Sequence, residues 1–549
     1  MDASSGPVSA DATDLLARLA ELDKIGIALS REKDVDHLLE TILVAAQKIT
    51  RADAGTLYRR PGHAPDTLAF AIVRNQSLGL SLNAATGGTA TFAPIPLHDS
   101  EGRENLAAVA AHAVLRDCTI NVADAYTAPG FDFAGTRAFD TRTGYRSQSV
   151  LCVPLKNHEG DIIGALQLIN AVDPCTGAVV PFGPAEQRLA ESLASQAAVA
   201  LTTRQLIHQH EQLFESFITV INTAIDDKSP YTGGHCKRVP VLTMMLAEAA
   251  QSATDGPLAS WSLTPAESNA LRIAALLHDC GKITTPEHIV DKATKLQTIH
   301  DRIHLVDARC EIVRRDAELA WLRASAAATP DERPALEAAY HAQLATLADD
   351  RAFLHRCNTG GEFMAPTDQA RVAAIAQRYR WQDAAGRTCD FLSADEVENL
   401  CIARGTLTAA EREIINHHVV TTIKMLEALD WPKHLRQVPE FAGGHHERVD
   451  GKGYPRGLTR DQMSVPARIM GIADIFEALT APDRPYKKGQ SLQAALQILG
   501  HLSLTGHIDP DLFDIFVRER VYDRYAREHL RPDQIDEVDV TRIPGYRGD

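Results

Sequence analysis

The sequence predicts two folds in tandem: an α+β N-terminal domain, an antiparallel sheet flanked by helices, joined by a long helix to an all-α helical bundle. Three observations predict it. Strand-like runs with turn residues between them, AGTLYRR, TLAFAIVR, SVLCVPLKN and GDIIGALQLIN, all fall in the first third of the chain. A helical pattern opens at Phe182 and runs on to Ile225. Beyond it the apolar residues recur at helical spacing. At 549 residues the chain is also too long for one ordinary domain.

Taken in order, residues 1–21 are a short polar lead into a helix. VDHLLETILVAAQKI, residues 35–49, has the apolar period of an amphipathic helix. AGTLYRR and TLAFAIVR follow as strands, with Gly and Pro punctuating the segment between them. LAAVAAHAVL is helical, and 121–143, rich in Gly, Asp and aromatics, is looser. SVLCVPLKN and GDIIGALQLIN, separated by an HEG turn, form an antiparallel hairpin. After the long helix, DDKSPYTGGHCKRV is turn-rich and enters a helix near His235, and ESNALRIAALLHDCGK is the next helix. IVDKATKLQTIHDRIHLVDARCEIVRRDAELAWL is charged and helical and pairs antiparallel with LEAAYHAQLATLADDRAFLHR, which Gly360 and Gly361 end. TDQARVAAIAQRY and FLSADEVENL are further helical pieces. GTLTAAEREIINHHVVTTIKML is a helix capped by Thr408, with Glu411 as reciprocal partner and Pro432 as stop. SLQAALQIL and IDPDLFDIFVRERVY close the bundle before a polar tail.

Composition narrows the function classes. The hydrophobic content of 45% is ordinary for a soluble protein. A formal charge of -16 argues against a general DNA or RNA binder, because backbone phosphates select basic surfaces. A small anionic ligand held by metal ions and a few basic side chains stays compatible with it. The nine cysteines are scattered, with no close CxxC, which favours a reducing compartment. The polar, acidic start is not a signal peptide, and no apolar run is long enough to span a bilayer, so a cytoplasmic protein is expected.

The chemistry centres on LRIAALLHDCGK, residues 271–282. An apolar helix there finishes on His278 and Asp279, and a buried imidazole beside a carboxylate needs partners. Later segments, IINHHVV, FAGGHHERVDGKGYP and RIMGIADIFEALTAPDRPY, supply more ligand types. The candidate metal ligands are His235, His278, Asp279, His418, His445, His446 and Asp474. Imidazole nitrogen with carboxylate oxygen suits first-row transition ions, and more than four such ligands imply more than one ion. A carboxylate bridges two ions where an imidazole does not, which makes Asp279 the bridge. His235, His278, Asp279 and Asp474 are assigned to one ion, and Asp279, His418, His445 and His446 to the other. Of His417 and His418, one faces the core and the other faces outward. Asp474 lies in an apolar run, where a lone carboxylate is costly and an ion is a good partner. Glu447 and Asp450 are expected to orient the ligands. Nothing in the sequence activates Cys280 as a nucleophile.

Two resemblances follow from these motifs. The order of elements through SVLCVPLKN, GDIIGALQLIN and PFGPAEQRLAESLASQAAVAL, residues 22–205, resembles a GAF sensory domain. This implies a small-molecule ligand of unknown kind, and Asn121, Phe139 and Asp140 loosely resemble the motif of nucleotide-binding members. Residues 206–225 resemble a signalling helix through which such domains pair, which implies a homodimer; a plain solvated connector is the alternative. Residues 226–500 resemble the HD-GYP metal phosphodiesterases. His278-Asp279 with Lys282, the run His445-His446-Glu447…Asp450-Gly451…Gly453-Tyr454-Pro455, Tyr231-Thr232…His235, Asp474 and Arg484-Pro485-Tyr486-Lys487 carry this likeness. The phrase Leu407-Thr408…Glu411 selects His418 as the third-segment histidine. An insert at about 291–405 departs from the family pattern, and 501–549 hold the C-terminal helices and tail. Tyr231 stands where a trinuclear subset has Glu, which implies two ions.

The second resemblance implies hydrolysis of cyclic di-GMP to linear pGpG or GMP, with a hydroxide activated by two divalent ions, iron or manganese. Asp279 and Lys282 are the implied catalytic residues. Lys282, Arg484 and Lys487 would hold phosphate oxygens, Arg484 as a bidentate fork. Tyr454 would contact substrate from the DGKGYP loop, which is also implicated in protein contacts. Two alternatives stay open: a phosphohydrolase for cyclic GMP-AMP or another nucleotide phosphoester, and a non-catalytic cyclic dinucleotide sensor.

Overall fold

The computed structural model describes residues 10–61, 66–89, 92–228, 234–361, 363–481 and 489–548. The chain divides into two compact units, Met1–Phe214 and Glu215–Asp549.

The first unit holds α1 (Ala10–Arg31), α2 (Val35–Thr50), β1 (Ala52–Arg59), β2 (Thr67–Asn75), β3 (Leu80–Asn83), β4 (Ile95–Pro96), α3 (Val109–Arg116), β5 (Ile120–Val122), α4 (Ala134–Thr143), β6 (Val150–Lys156), β7 (Ile162–Val172) and β8 (Val179–Val180). Its strands run β3-β2-β1-β7-β6-β5, with β4 on β2 and β8 on β7, all antiparallel. The expected hairpin is β6–β7, in register with Val153 opposite Leu166. Its turn is fixed by Asn157, whose side chain accepts from the N–H groups of Glu159 and Asp161.

Side chains alternate across this sheet, so each face feeds a separate core. Leu57, Leu151, Leu166 and Leu168 pack with Leu38, Ile42 and Leu43 of α2 and with Leu189 and Leu193 beyond the sheet. Their neighbours Tyr58, Cys152 and Ala165 pack with Val109 and Val114 of α3 and with Phe133. The result is an antiparallel sheet between helical layers, as the sequence predicts. The long helix α5 (Pro184–Lys228) continues from this unit into the next.

The second unit is helical: α6 (His235–Gln251), α7 (Pro265–Leu277), α8 (Glu287–Val290), α9 (Ile303–Ala327), α10 (Arg333–Asn358), α11 (Pro366–Arg378), α12 (Ala394–Leu400), α13 (Ala409–Glu427), α14 (Val438–Gly443), α15 (Val465–Thr480), α16 (Leu492–Leu504), α17 (Pro510–Arg518) and α18 (Val521–His529). Helix α13 starts on the expected capping box: Thr408 Oγ1 accepts from the Glu411 N–H, and the Glu411 carboxylate accepts from the Thr408 N–H. Glu411 also takes Lys292 Nζ at 2.7 Å, so the cap ties the start of the insert to the bundle.

The insert builds a core of its own from Leu296, Val306, Phe353, Leu354, Val372, Ile375, Phe391 and Leu400. Its two long helices are antiparallel, with Trp321 stacked on Tyr340 and Asp307 paired to Arg351. One element was not expected: the small hairpin β9 (Arg380–Gln382) and β10 (Thr388–Asp390). Asp383 closes it by accepting from the Ala385 and Arg387 N–H groups, and Gly386 takes the left-handed φ of 74° that the turn needs. No helix among the described residues is long and apolar enough to cross a membrane.

Candidate metal centre

Helix α7 is nucleated by its own capping box, Thr264 with Glu267, and buries Leu271, Ala274 and Ala275. His278 is its C-cap, and Asp279 opens a tight 3-10 turn over Cys280–Thr284. That turn lies directly on α13. A Cβ on Gly281 would stand 2.0 Å from the His418 carbonyl oxygen and 2.6 Å from the Thr422 nitrogen, so only glycine permits the contact. The Gly281 N–H donates to Thr422 Oγ1 at 2.9 Å. Asp279 is thereby brought against His418, which faces inward while His417 is exposed.

Two further glycines bring His445 and His446 in. A Cβ on Gly443 would meet Ile423 of α13 at 2.8 Å, and one on Gly444 would meet Ala467 of α15 at 2.7 Å. Asp474 lies in the body of α15 and His235 is the first residue of α6.

All seven predicted ligands converge. The ligand atoms of His235, His278 and Asp279 lie within 4.8 Å of one another, as do those of His418, His445 and His446. Asp279 Oδ2 is 3.3 Å from both His235 Nε2 and His278 Nε2. Its other oxygen, Oδ1, is 3.2 Å from His418 Nε2. Asp474 Oδ1 is 3.2 Å from His235 Nε2 and 3.8 Å from His278 Nε2. Ligand atoms each about 2.1 Å from one ion and roughly 90–110° apart stand about 3.0–3.4 Å from each other. The spacings of 3.2 and 3.3 Å match that geometry, and the 3.8 Å between Asp474 and His278 is wider. The Nε2 atoms of His418 and His445 are buried and make no hydrogen bond among the described residues. An unpaired buried nitrogen is costly unless an ion takes its lone pair. The donor set supports a divalent-metal-binding site with two clusters.

The electrostatics divide the same way. Burial alone would push Asp279 up, but Lys282 and the imidazoles outweigh it and hold its carboxyl well below the usual range. Asp474 is lowered against burial by its hydrogen bond to His235. Burial works against a charged His235, yet Asp279, Asp474 and Glu477 raise its pKa well above the ordinary value. These carboxylates recruit positive charge to this spot, as proton or as metal ion. In the other cluster burial dominates: it drives His445 well down and His446 to about 4. Those imidazoles are neutral and ready to ligate at neutral pH.

The remaining predicted residues scatter more. Lys282 Nζ sits 2.6 Å from Asp279 Oδ2, on the carboxylate that faces both clusters. Tyr454 stacks on His446, centroids 4.8 Å apart and planes at 18°. Among the described residues neither Glu447 nor Asp450 has one of the candidate ligand imidazoles as a side-chain hydrogen-bond partner. Glu447 accepts from the N–H groups of Arg456 and Leu458 at 2.7 and 2.9 Å, and Asp450 pairs with Arg448 at 2.7 Å. Both carboxylates are spent on shaping the loop that follows His446. Gly451 has φ of 78° in that loop, a Cβ on Gly453 would lie 2.3 Å from the Arg448 nitrogen, and Pro455 is exposed. Tyr231, Thr232, Arg484, Pro485, Tyr486 and Lys487 lie outside the described residues. Burial pushes the Cys280 thiol up to about 11, in keeping with a residue that is no nucleophile.

The imidazoles are oriented by other groups. His278, His418 and His445 each turn Nδ1 to the carbonyl three residues back, on Ala275, Ile415 and Ala442. His235 instead turns Nδ1 to Glu477, whose other oxygen accepts from Arg238 Nε at 2.7 Å. Sequence reasoning missed Glu477. Its signal was the three-residue spacing from Asp474, which puts both carboxylates on neighbouring positions of one helix face.

In the first unit a cavity of about 340 Å³ is lined by Tyr58, Phe70, Phe133, Phe139, Tyr145 and Arg74, among others. Of the three residues that suggested a nucleotide motif, only Phe139 lines it. Asn121 donates to the Phe182 carbonyl, and Asp140 accepts from Ser147 and Tyr126.

Comparison with known proteins agrees with this division. A GAF domain profile matches residues 34–201, and two HD domain profiles match 232–353 and 392–512. The 3'3'-cGAMP-specific phosphodiesterase 1 of Vibrio cholerae is 48% identical over 81 residues, 15% of this chain and 19% of that protein. A cyclic di-GMP phosphodiesterase of Pseudomonas aeruginosa is 38% identical over 114 residues, 21% of this chain and 26% of that protein. The chain thus spans about a fifth to a quarter of the length of these curated relatives. Among solved structures, the GAF domain of a phosphoenolpyruvate-protein phosphotransferase from Coxiella burnetii is 15% identical with a TM-score of 0.27, covering 36% of this chain and 98% of that one. The chain therefore carries a GAF domain followed by HD-superfamily segments homologous to those of cyclic dinucleotide phosphodiesterases.

Proposed function

We propose that the chain is a two-metal phosphodiesterase of the HD-GYP type that hydrolyses cyclic di-GMP to linear pGpG or GMP under the control of its GAF domain. The observation that carries this reading is Asp279, whose two carboxylate oxygens each face a different imidazole cluster. His235, His278, Asp279 and Asp474 would hold one divalent ion, and Asp279, His418, His445 and His446 would hold the other. Iron or manganese suits this oxygen and nitrogen donor set. Such ions supply Lewis acidity, readying a water for attack at phosphorus and offsetting charge on the phosphoryl oxygens.

The chain's own residues do the rest. Asp279 fixes the spacing of the two clusters. Lys282, placed at Asp279, is near enough to the centre to balance a non-bridging phosphate oxygen once substrate and ions are bound. Arg484 and Lys487 hold further phosphate oxygens, and Tyr454 lines the rim beside His446. The DGKGYP loop is also the candidate contact for a protein partner. Residues 22–205 serve as the sensory domain, with the aromatic-lined cavity as the seat of its small-molecule ligand. Residues 206–225 transmit the signal to a hydrolase domain at 226–500, and residues 501–549 close it. Pairing of two chains is supported by Val199, Leu206, Leu213 and Val220, exposed apolar residues seven apart along α5. A cytoplasmic location fits a cyclic dinucleotide substrate.

A second reading is cyclic GMP-AMP as substrate, favoured by the 48% identity to the Vibrio cholerae enzyme of that specificity. Elemental analysis with turnover on both cyclic dinucleotides, under anaerobic handling, tests the proposal. Wild-type protein is expected to carry two ions and to cleave cyclic di-GMP faster. Asp279→Ala is expected to lose both ions and all hydrolysis while the GAF domain stays folded. Full metal content in that variant defeats the bridging role, faster cleavage of cyclic GMP-AMP selects the second substrate, and binding without cleavage makes the protein a sensor.

A further inference from the structure

The two ion positions are not built alike, and the difference, which rests on the two-metal reading above, lies in a residue that binds no ion. Three imidazoles, His278, His418 and His445, place Nδ1 on neutral backbone carbonyls. Among the described residues His235 is the candidate ligand that places it on a carboxylate, that of Glu477. Glu477 is fully buried, and its second oxygen is held by Arg238, so its charge is fixed in place. A carboxylate behind an imidazole fixes the tautomer with the proton on Nδ1, aims the Nε2 lone pair at the ion and strengthens it as a donor.

The direct ligands lean the same way. The first position has Asp474 and Oδ2 of Asp279 beside its imidazoles. The second has three imidazoles and only Oδ1 of Asp279. We infer that Glu477 is a positioning residue which, acting through His235, makes the His235–His278–Asp279–Asp474 position hold its divalent ion more tightly than the His418–His445–His446 position does.

Calorimetric titration of the metal-free full-length chain with Mn²⁺ at one fixed pH tests this. Wild-type protein is expected to bind in two steps, a tighter one and a weaker one. Glu477→Gln combined with Arg238→Gln removes the buried carboxylate and its guanidinium partner together, so the loss of Glu477 does not leave that guanidinium facing a neutral amide. That double variant is expected to weaken the tighter step by about 10–100-fold and to leave the weaker step within about threefold of wild type. An unchanged tighter step, or equal weakening of both steps, overturns the inference. Should the double variant fail to fold, Arg238→Lys carries the test, because it loosens Glu477 without touching His235. The tighter step then weakens while the other holds, and an unchanged tighter step overturns the inference. A wild-type chain that binds one ion or none overturns the two-metal reading itself, and this inference with it.

Discussion

Each ligand in this centre is buried or half-buried, and each would be costly there on its own. That cost is why the candidate ligands stood out in the sequence: an imidazole or carboxylate inside an apolar run needs a partner, and the fold brings the seven together. Glu477 was not legible, because its partner His235 lies 242 residues away and a glutamate in a helix reads equally well as a surface residue. Glu447 and Asp450 belong to the loop that follows the histidine pair. They sit beside the ligands in sequence, but their carboxylates turn to the Arg456 and Leu458 N–H groups and to Arg448. Tyr454 makes the distinction between holding metal and holding substrate testable. Its ring lies on the His446 imidazole, a position suited to stacking. Tyr454→Ala is expected to lower kcat/KM about tenfold, the loss of about 1.4 kcal/mol of stacking, with both ions retained. Loss of metal in that variant would make the ring part of the centre's scaffold.

Among the elements, the long helices were readable from apolar period and caps, as the Thr408–Glu411 box shows. The hairpin β9–β10 was not, since three-residue strands carry too little alternation to register. The short turn over Cys280–Thr284 matters most to the site, and Gly281 is its critical residue. Adding one methyl there sets a Cβ against the backbone of α13, which has no side chain to move aside. Gly281→Ala is expected to destabilise the second unit by about 1–3 kcal/mol in urea unfolding and to weaken metal binding, because the turn and His418 are forced apart.

The insert offers a separate, metal-independent test. Buried Glu396 and half-buried Arg309 pair at 2.5 Å. Burial alone would raise Glu396, but the bonds from Arg309 and from the Ser393 N–H outweigh it and hold the carboxyl below its ordinary value. A carboxylate lowered on folding adds stability that is full above its unfolded pKa of about 4.3 and is lost as pH falls through the folded value. Glu396→Gln is therefore expected to cost about 1–3 kcal/mol at pH 7, and its difference from wild type should shrink below about pH 4. A difference that stays constant with pH would mean the glutamate acts by packing and not by charge.

At the scale of the whole chain, the two fold classes were legible because period-two and helical patterns occupy different halves. The division between the units falls at Phe214–Glu215, inside the single unbroken helix α5 and within the 206–225 stretch read as the linking helix. All seven ligands lie in the second unit, carried by segments that are far apart in sequence. Ions bound there stabilise that unit by linkage, about 2.7 kcal/mol at a hundredfold excess over Kd, and give the first unit nothing. The four tryptophans, Trp261, Trp321, Trp381 and Trp431, also lie in the second unit, so their fluorescence reports it alone. Chelation is therefore expected to lower the tryptophan melting midpoint by roughly 5 °C while the strand signal in far-UV circular dichroism, which comes chiefly from the first unit, melts where it did before. Asp279→Ala should melt at the lowered midpoint with or without chelator. If both signals move together on chelation, the units melt as one; if neither moves, the seven residues meet without tying their segments through metal.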